Sequence, residues 1–397
     1  MIKKLRHHRL LFLIILISIG LFFLYLQIQP ALTYAFSPLF DGNKYLQVYH
    51  YFQNQADHYH VIFPINSRIL VPYLASLLPF GEPAHNFLLF NIIFTLLSVT
   101  VIYFLWWQLG ISTGHIMTGF FWLLIHWVGI IRYNIFDPIT VDVPLYLFQS
   151  LLLFIIIKRQ YFWLLILGPV ATIQKESFPA LLIVILLLSI YENYSQKSNF
   201  RNSVIIALAI VFSFTIKAIV SHYFPPIDPG KNSIIVVLFH LKETIVNPFR
   251  IVRWVVAIFT SYGPLLMLAI WVAVKSKTIF LGDKYILFLS LAYLFFSLAA
   301  GGDMARISFL GFPFIMTWIL LKLKDTKGFL FKAAFIAGIP LLKLLRTIPD
   351  PAVYGWEKFN NWFPEFSNPV VVLLWLIYGI MCLVMFRIID KKLSVLS

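Results

Sequence analysis

The chain has 397 residues, 60% of them hydrophobic and only 12% charged, about half the roughly 25% charge of a soluble globular domain. That composition excludes a soluble enzyme or binding module and places the chain among integral membrane proteins. The single Cys382 excludes an internal disulfide and a cysteine-based metal site.

Twelve apolar runs follow one another, near residues 10–28, 87–107, 116–131, 144–157, 161–173, 179–190, 203–221, 251–273, 285–300, 307–321, 328–344 and 369–387. An upright span needs about 20 apolar residues, so the short run 161–173 reads as tilted or re-entrant. Uniformly apolar runs are not the alternating strands of an outer-membrane barrel. The expected fold is all-α: a polytopic transmembrane helical bundle of about 10–13 spans, with short interfacial helices, forming a single integral membrane domain over 1–397.

The amino terminus, MIKKLRHHR, precedes a first run that reads as an uncleaved helix. A signal peptide cleaved near Ala31–Ala35 is the alternative, although the run is longer than the usual 7–15-residue signal core. With that terminus placed in the cytoplasm and the runs threaded alternately, the cytoplasmic loops receive eighteen cations against four acids, Glu192, Asp283, Asp325 and Asp390. Lys197 and Lys327 are among those cations. The net charge of +15 therefore follows the positive-inside rule and calls for no nucleic-acid partner. The same threading gathers Asp41, Asp57, Glu82, Asp137, Asp142, Glu176 and Asp303 on the outer side, with Arg68, Arg132, Lys175 and Arg306. The outer loops are about 29–86, 132–143, 222–250 and 345–368.

In the first outer loop, LFDGNKYLQVYHYF (39–52) places Gly42 at a turn before a helical run with Tyr45, Tyr49 and Phe52 on one face. Asp41 is either the N-cap of that helix or a functional carboxylate. The segment 65–80, INSRILVPYLASLLPF, carries Arg68 and Pro72 in a short run and reads as an interfacial helix, with a span as the alternative.

RYNIFDPITVDVPLY (132–146) sets one arginine and two aspartates between apolar runs. Asp137 before Pro138 fits an N-cap with proline at the first helical position. Arg132 ends the third run and suits snorkelling to the headgroups. Asp142 has the weakest purely structural explanation of the three. In TIQKESFPALL (172–182), Lys175 and Glu176 interrupt nearly thirty apolar residues, as a plain turn or as part of a polar site. In LAAGGDMARISFLGFPF (298–314), Asp303 and Arg306 stand three apart, where a local ion pair is the simpler reading. The histidines show no metal-ligand spacing, and no phosphate loop, dinucleotide fingerprint or serine elbow is present. Outward carboxylates with scattered cations suit a reaction that deprotonates a hydroxyl while an anionic phosphate leaves.

At FDGNKY, SRILVPYLASLLP, QKES and GGDMAR the chain resembles bacterial members of the GT-C superfamily, multi-span glycosyltransferases that use polyprenyl-phosphate sugars outside the membrane. The resemblance covers most of the chain in layout and rests on short motifs. It implies an enzyme of the bacterial cytoplasmic (inner) membrane with both termini cytoplasmic and an extracytoplasmic site for cell-envelope polysaccharide biosynthesis. The implied partners are a polyprenyl-phosphate sugar donor, a glycan or lipid-linked acceptor, and the lipid bilayer. Asp41 would be the general base, Asp137 and Asp142 a second acidic pair, and Arg306, Lys175, Arg68 or Arg132 the contacts to donor phosphate. Glu176 and Asp303 would support them. Metal need varies within the class; a divalent cation, Mg or Mn, would be held by Asp41 with Asp137 or Asp142. The chain lacks the large carboxy-terminal outer domain of better-described members, which favours a glycan or lipid-linked acceptor over a protein. A glycan polymerase or ligase using lipid-diphosphate oligosaccharides, and a lipid or polysaccharide transporter, are the competing readings; the absence of a repeat or midplane charge cluster beyond Lys217 weighs against the transporter.

Overall fold

The computed structural model describes residues 2–36, 40–56, 58–196, 199–228, 230–277, 284–299, 301–326 and 328–395. Asp57, Lys197, Asp283 and Lys327, which entered the charge tally, lie outside the described residues. Among the described residues every regular element is a helix and no strand occurs.

Each of the twelve apolar runs contains a helix. Among the described residues six helices are long and apolar enough to cross a membrane: His8–Ile28, Pro83–Gln108, Phe178–Gln196, Arg201–Tyr223, Phe249–Lys275 and Pro369–Lys391. Met304–Leu310 and Phe312–Leu323, bent by 70°, make a seventh if counted as one broken span. The other five, Thr113–Ile125, Val143–Ile157, Tyr161–Gln174, Lys284–Ala299 and Gly328–Leu342, are shorter. At 1.5 Å per residue they reach about 20–24 Å, against a hydrocarbon thickness of roughly 30 Å. Among the described residues the protein is thus all-helical, with six helices, or seven with the bent pair, long and apolar enough to span, against the expected 10–13. The segment 65–80 is not a span: it forms a single turn, Ile65–Ser67, and the seven-residue helix Leu70–Ser76.

The chain divides into two compact units: Met1–Phe22, Ala31–Leu105 and Asn134–Leu238 in the first, and Phe23–Pro30, Trp106–Tyr133 and Phe239–Ser397 in the second. In the first unit the expected amphipathic helix runs from Gly42 to Phe52. Its spacing turns Tyr45, Val48 and Tyr49 into a core shared with Val61, Ile65, Val71, Ala75 and Phe87, the apolar stripe of a surface helix. Nearby, the Leu164–Gln174 helix closes on Arg201–Tyr223 because Gly168 has no side chain; a Cβ there would stand 2.8 Å from Ser213 Oγ.

The core of the second unit is aromatic. Trp122 donates from Nε1 to the Ser261 carbonyl at 2.7 Å, and the Tyr262 ring stacks on Phe309 at 5.9 Å. Two glycines decide how these rings fit. Gly311 separates Met304–Leu310 from Phe312–Leu323 and lies so close to Tyr293 that a Cβ would meet its ring at 2.8 Å. Pro313 then begins the second helix, where its missing N–H costs nothing.

Gly263 breaks the Phe249–Lys275 helix at φ 61° and ψ −154°, a region that essentially only glycine occupies. Pro264 follows it, so the helical hydrogen-bond ladder is interrupted there as well. A Cβ on Gly263 would also press on Leu341 Cδ1 at 2.6 Å. Gly263→Ala is therefore expected to lower stability by about 1–3 kcal/mol, measured as a fall in the thermal unfolding midpoint of the detergent-solubilised chain. An unchanged midpoint would refute the strain.

Candidate functional site

Six of the nine residues singled out from sequence fall in the first unit: Asp41, Arg68, Asp137, Asp142, Lys175 and Glu176. Arg132, Asp303 and Arg306 belong to the second.

Lys175 and Glu176 sit in the break between the Leu164–Gln174 and Phe178–Gln196 helices. The backbone of Lys175 is extended, at φ −153° and ψ 119°, and the two neighbouring side chains take different partners. Glu176 accepts from Arg68 twice, Nε to Oε2 and Nη2 to Oε1, both at 2.8 Å. Lys175 Nζ donates to Asp142 Oδ1 at 2.8 Å. The third arm of the Arg68 guanidinium, Nη1, donates to the Tyr45 hydroxyl at 2.9 Å. Tyr45 feels the charges of Asp41 and Asp142, and Lys175 those of Arg68 and Glu176. Asp41, Tyr45, Arg68, Glu176, Lys175 and Asp142 are therefore one electrostatic chain, assembled from four separated sequence segments.

Burial sets the stakes. On its own it would raise the Glu176 carboxyl, but the two-pronged Arg68 guanidinium overrides it and holds the group down at about 2. Arg68 in turn is buried, which lowers its pKa, and Glu176 more than compensates and raises it. Lys175 is shifted down because burial outweighs its attraction to Asp142. Paired charges of this kind persist in a low-dielectric interior only with full hydrogen bonding.

Asp41 stands at the accessible end. Its side chain is 42% exposed, against 7% for Asp142 and 11% for Glu176, so it is the carboxylate that an incoming molecule reaches first. It occupies the position before the Gly42–Phe52 helix, yet its side chain makes no capping bond. It faces Lys44 Nζ at 3.4 Å instead. The capping reading of Asp41 is thereby corrected.

Asp137 is not a cap either, because residues 137–142 are irregular and the next helix, Val143–Ile157, starts beyond them. This irregular stretch is buried, so its polar groups need partners, and side chains supply them. Tyr34 donates its hydroxyl to Asp137 Oδ1 at 2.5 Å and accepts the Ile139 amide at 3.0 Å. Asn91 donates to the Pro138 carbonyl at 2.9 Å, and Gln174 to the Val141 carbonyl at 2.5 Å. Tyr34 also packs under Gly42, where a Cβ would meet its ring at 2.3 Å, and its carbonyl accepts from Asn43 at 3.1 Å. Tyr34 thus joins the FDGN turn to Asp137. Sequence reasoning placed Tyr45 only on the helix face and missed Tyr34 and Gln174, since a tyrosine or glutamine in an aromatic, apolar chain gives no signal of its own.

In the second unit Arg132 neither ends a span nor reaches headgroups. It opens the short Arg132–Phe136 helix and is fully buried. Its terminal nitrogens donate to the carbonyls of Ile125 at 3.1 Å, Leu342 at 2.8 Å, Lys343 at 3.1 Å and Arg346 at 2.5 Å. The guanidinium stands over the Tyr25 ring at 5.0 Å. Those donors are committed to backbone carbonyls, so Arg132 is a structural cation and its assignment to donor phosphate is withdrawn. Asp303 and Arg306 form the expected local pair at 3.2 Å, and Arg306 also stands over the Tyr133 ring at 5.2 Å.

Among the described residues no three His, Cys, Asp or Glu side chains cluster in a way that could hold a metal ion. Asp41, Asp137 and Asp142 each have a cation or hydroxyl against them.

The chain matches no protein-family model, no curated protein and no solved structure.

Removing one member of a buried pair leaves the other charge uncompensated, at about 3–5 kcal/mol. Glu176→Gln should destabilise the chain by that order at neutral pH. Because the folded carboxyl is depressed to about 2, its contribution is complete above the unfolded value, 4.5, and is lost as pH falls through about 2. Denaturation in mixed micelles should accordingly show wild type and variant converging as pH drops from 4.5 towards 2; a gap constant with pH would contradict the pairing.

Proposed function

We propose that the chain is a glycosyltransferase of the GT-C kind, moving a sugar from a polyprenyl-phosphate donor to an envelope glycan or lipid-linked acceptor on the extracytoplasmic face. The observation that carries this reading is the buried charge chain that ends in one accessible carboxylate, Asp41.

In this reading Asp41 takes the proton of the acceptor hydroxyl as that oxygen attacks the anomeric carbon. The bond from that carbon to the phosphate oxygen breaks, and polyprenyl phosphate leaves with the electron pair. Lys175 has a single hydrogen-bonded carboxylate, Asp142, and two further N–H donors with which to meet the leaving phosphate. Arg68 acts differently, because three of its five N–H donors already hold Glu176 and Tyr45. It positions Tyr45 and Glu176 and supplies positive potential without contacting the donor. Asp137, tied to the FDGN turn through Tyr34, fixes where Asp41 points. An integral membrane setting fits the six apolar helices and brings a lipid-borne donor to the site from within the bilayer.

Asp41→Asn keeps the size of the side chain and removes the base. In vesicles containing the purified chain, a polyprenyl-phosphate sugar and a glycan acceptor, it should cut the transfer rate by about 10²–10⁴-fold while insertion and abundance stay unchanged. Full transfer by that variant would remove Asp41 as the base.

A further inference from the structure

A cavity of about 440 Å³ lies within the second unit, at the junction of the Ser233–Val246 and Phe249–Lys275 helices. Its charged lining is Lys242, Glu243, Arg250, Arg253 and Glu365, with Asn247 beside them. Arg250 is partly spent, donating Nη1 to Glu243 Oε2 at 2.6 Å and Nη2 to the Gly301 carbonyl at 3.0 Å. Arg253 stands over the Phe249 ring at 5.5 Å, and, like that of Arg250, its buried Nε has no hydrogen-bond partner among the described residues.

Glu365 is 1% exposed. Its Oε1 accepts the Ala305 amide at 2.8 Å, while Oε2 is buried without a partner among the described residues. Arg253 and Glu365 line the same cavity, and a buried carboxyl oxygen or guanidinium N–H without a partner is costly.

The surroundings are apolar. Phe239, Val246 and Met304 complete much of the wall. Phe239, Ile245 and Val246 are 57%, 79% and 75% exposed, next to the cationic opening. A free anion has no use for such a rim, whereas a hydrocarbon chain attached to the anion would cover it.

We propose that this cavity binds the phosphate group of an amphiphilic lipid, with Arg253 as its main cationic contact, Lys242 and Arg250 beside it, and Glu365 donating a hydrogen bond from Oε2. Burial pushes the Glu365 carboxyl up to about 7, against the lowering effects of the Ala305 amide and Lys343. The group is therefore largely protonated below neutrality, and with Oε1 occupied as acceptor the proton resides on Oε2. The cavity then presents three cations against Glu243 alone. The site is independent of the reaction assigned to the first unit, so its failure and the failure of that reading are separately visible.

The test uses the full chain in maltoside micelles at pH 6, with thermal unfolding followed during titration with dodecyl phosphate, dodecylphosphocholine or inorganic phosphate. Saturable stabilisation is expected with dodecyl phosphate, at least about tenfold tighter than with either of the others, the scale of one charge-assisted contact. Arg253→Ala should weaken it by about tenfold or more, and Lys242→Gln, at an exposed position, by several-fold on the same scale. Glu365→Gln retains an N–H donor and should bind within about threefold of wild type. Absence of saturation, unchanged affinity in both cation variants, loss of binding in Glu365→Gln, or equal affinity for inorganic phosphate would each overturn the proposal.

Discussion

The first unit depends on one interaction, the two-pronged contact between Arg68 and Glu176. A chain with 60% hydrophobic residues can bury a charge only against an opposite charge or a full set of hydrogen bonds. That requirement brings Arg68, after the Ile65–Ser67 turn, to the helix break at Glu176. Tyr45, held by the same guanidinium, brings the helix that starts at the FDGN turn, and Lys175 brings Asp142. The segments are far apart in sequence, and the need to neutralise each charge gives them a common meeting point.

In the second unit two buried cations are held without a carboxylate. Arg132 is neutralised by carbonyls at the end of the Thr113–Ile125 helix and in the 342–346 segment, where helix ends carry partial negative charge. Lys343 follows the same pattern: its ammonium lies over the Trp127 and Trp362 rings at 4.5 and 4.3 Å and donates to the Trp362 carbonyl. Such cations stabilise the architecture. Arg253, by contrast, lines a cavity beside the Phe249 ring, and it is the cation of this unit assigned to a ligand.

Much of this was legible in the sequence because charges in an apolar chain are conspicuous. Asp41, Asp142, Lys175, Glu176 and Arg68 stood out for that reason, and the helical run after Gly42 was readable from its aromatic spacing. Pairing was not legible: 108 residues separate Arg68 from Glu176, and nothing local in either segment names the other. Span lengths misled because hydropathy marks apolar helices whether they face lipid or protein, and the short Val143–Ile157 helix is almost wholly buried in the protein. Arg132 misled for the related reason that a terminal arginine looks the same whether it snorkels or binds carbonyls. Glu365 gave no signal at all, since its burial depends on contacts with the distant Ala305 segment.

The proposed chemistry follows from the asymmetry of the charge chain: its inner members neutralise one another, and its outermost carboxylate is left accessible to solvent and substrate. The most direct measurement supplies the purified chain in liposomes with a radiolabelled polyprenyl-phosphate sugar and separates intact lipid from released polyprenyl phosphate. The account predicts acceptor-dependent loss of the sugar from the lipid with stoichiometric release of polyprenyl phosphate. Movement of the intact lipid across the bilayer without bond cleavage would contradict it.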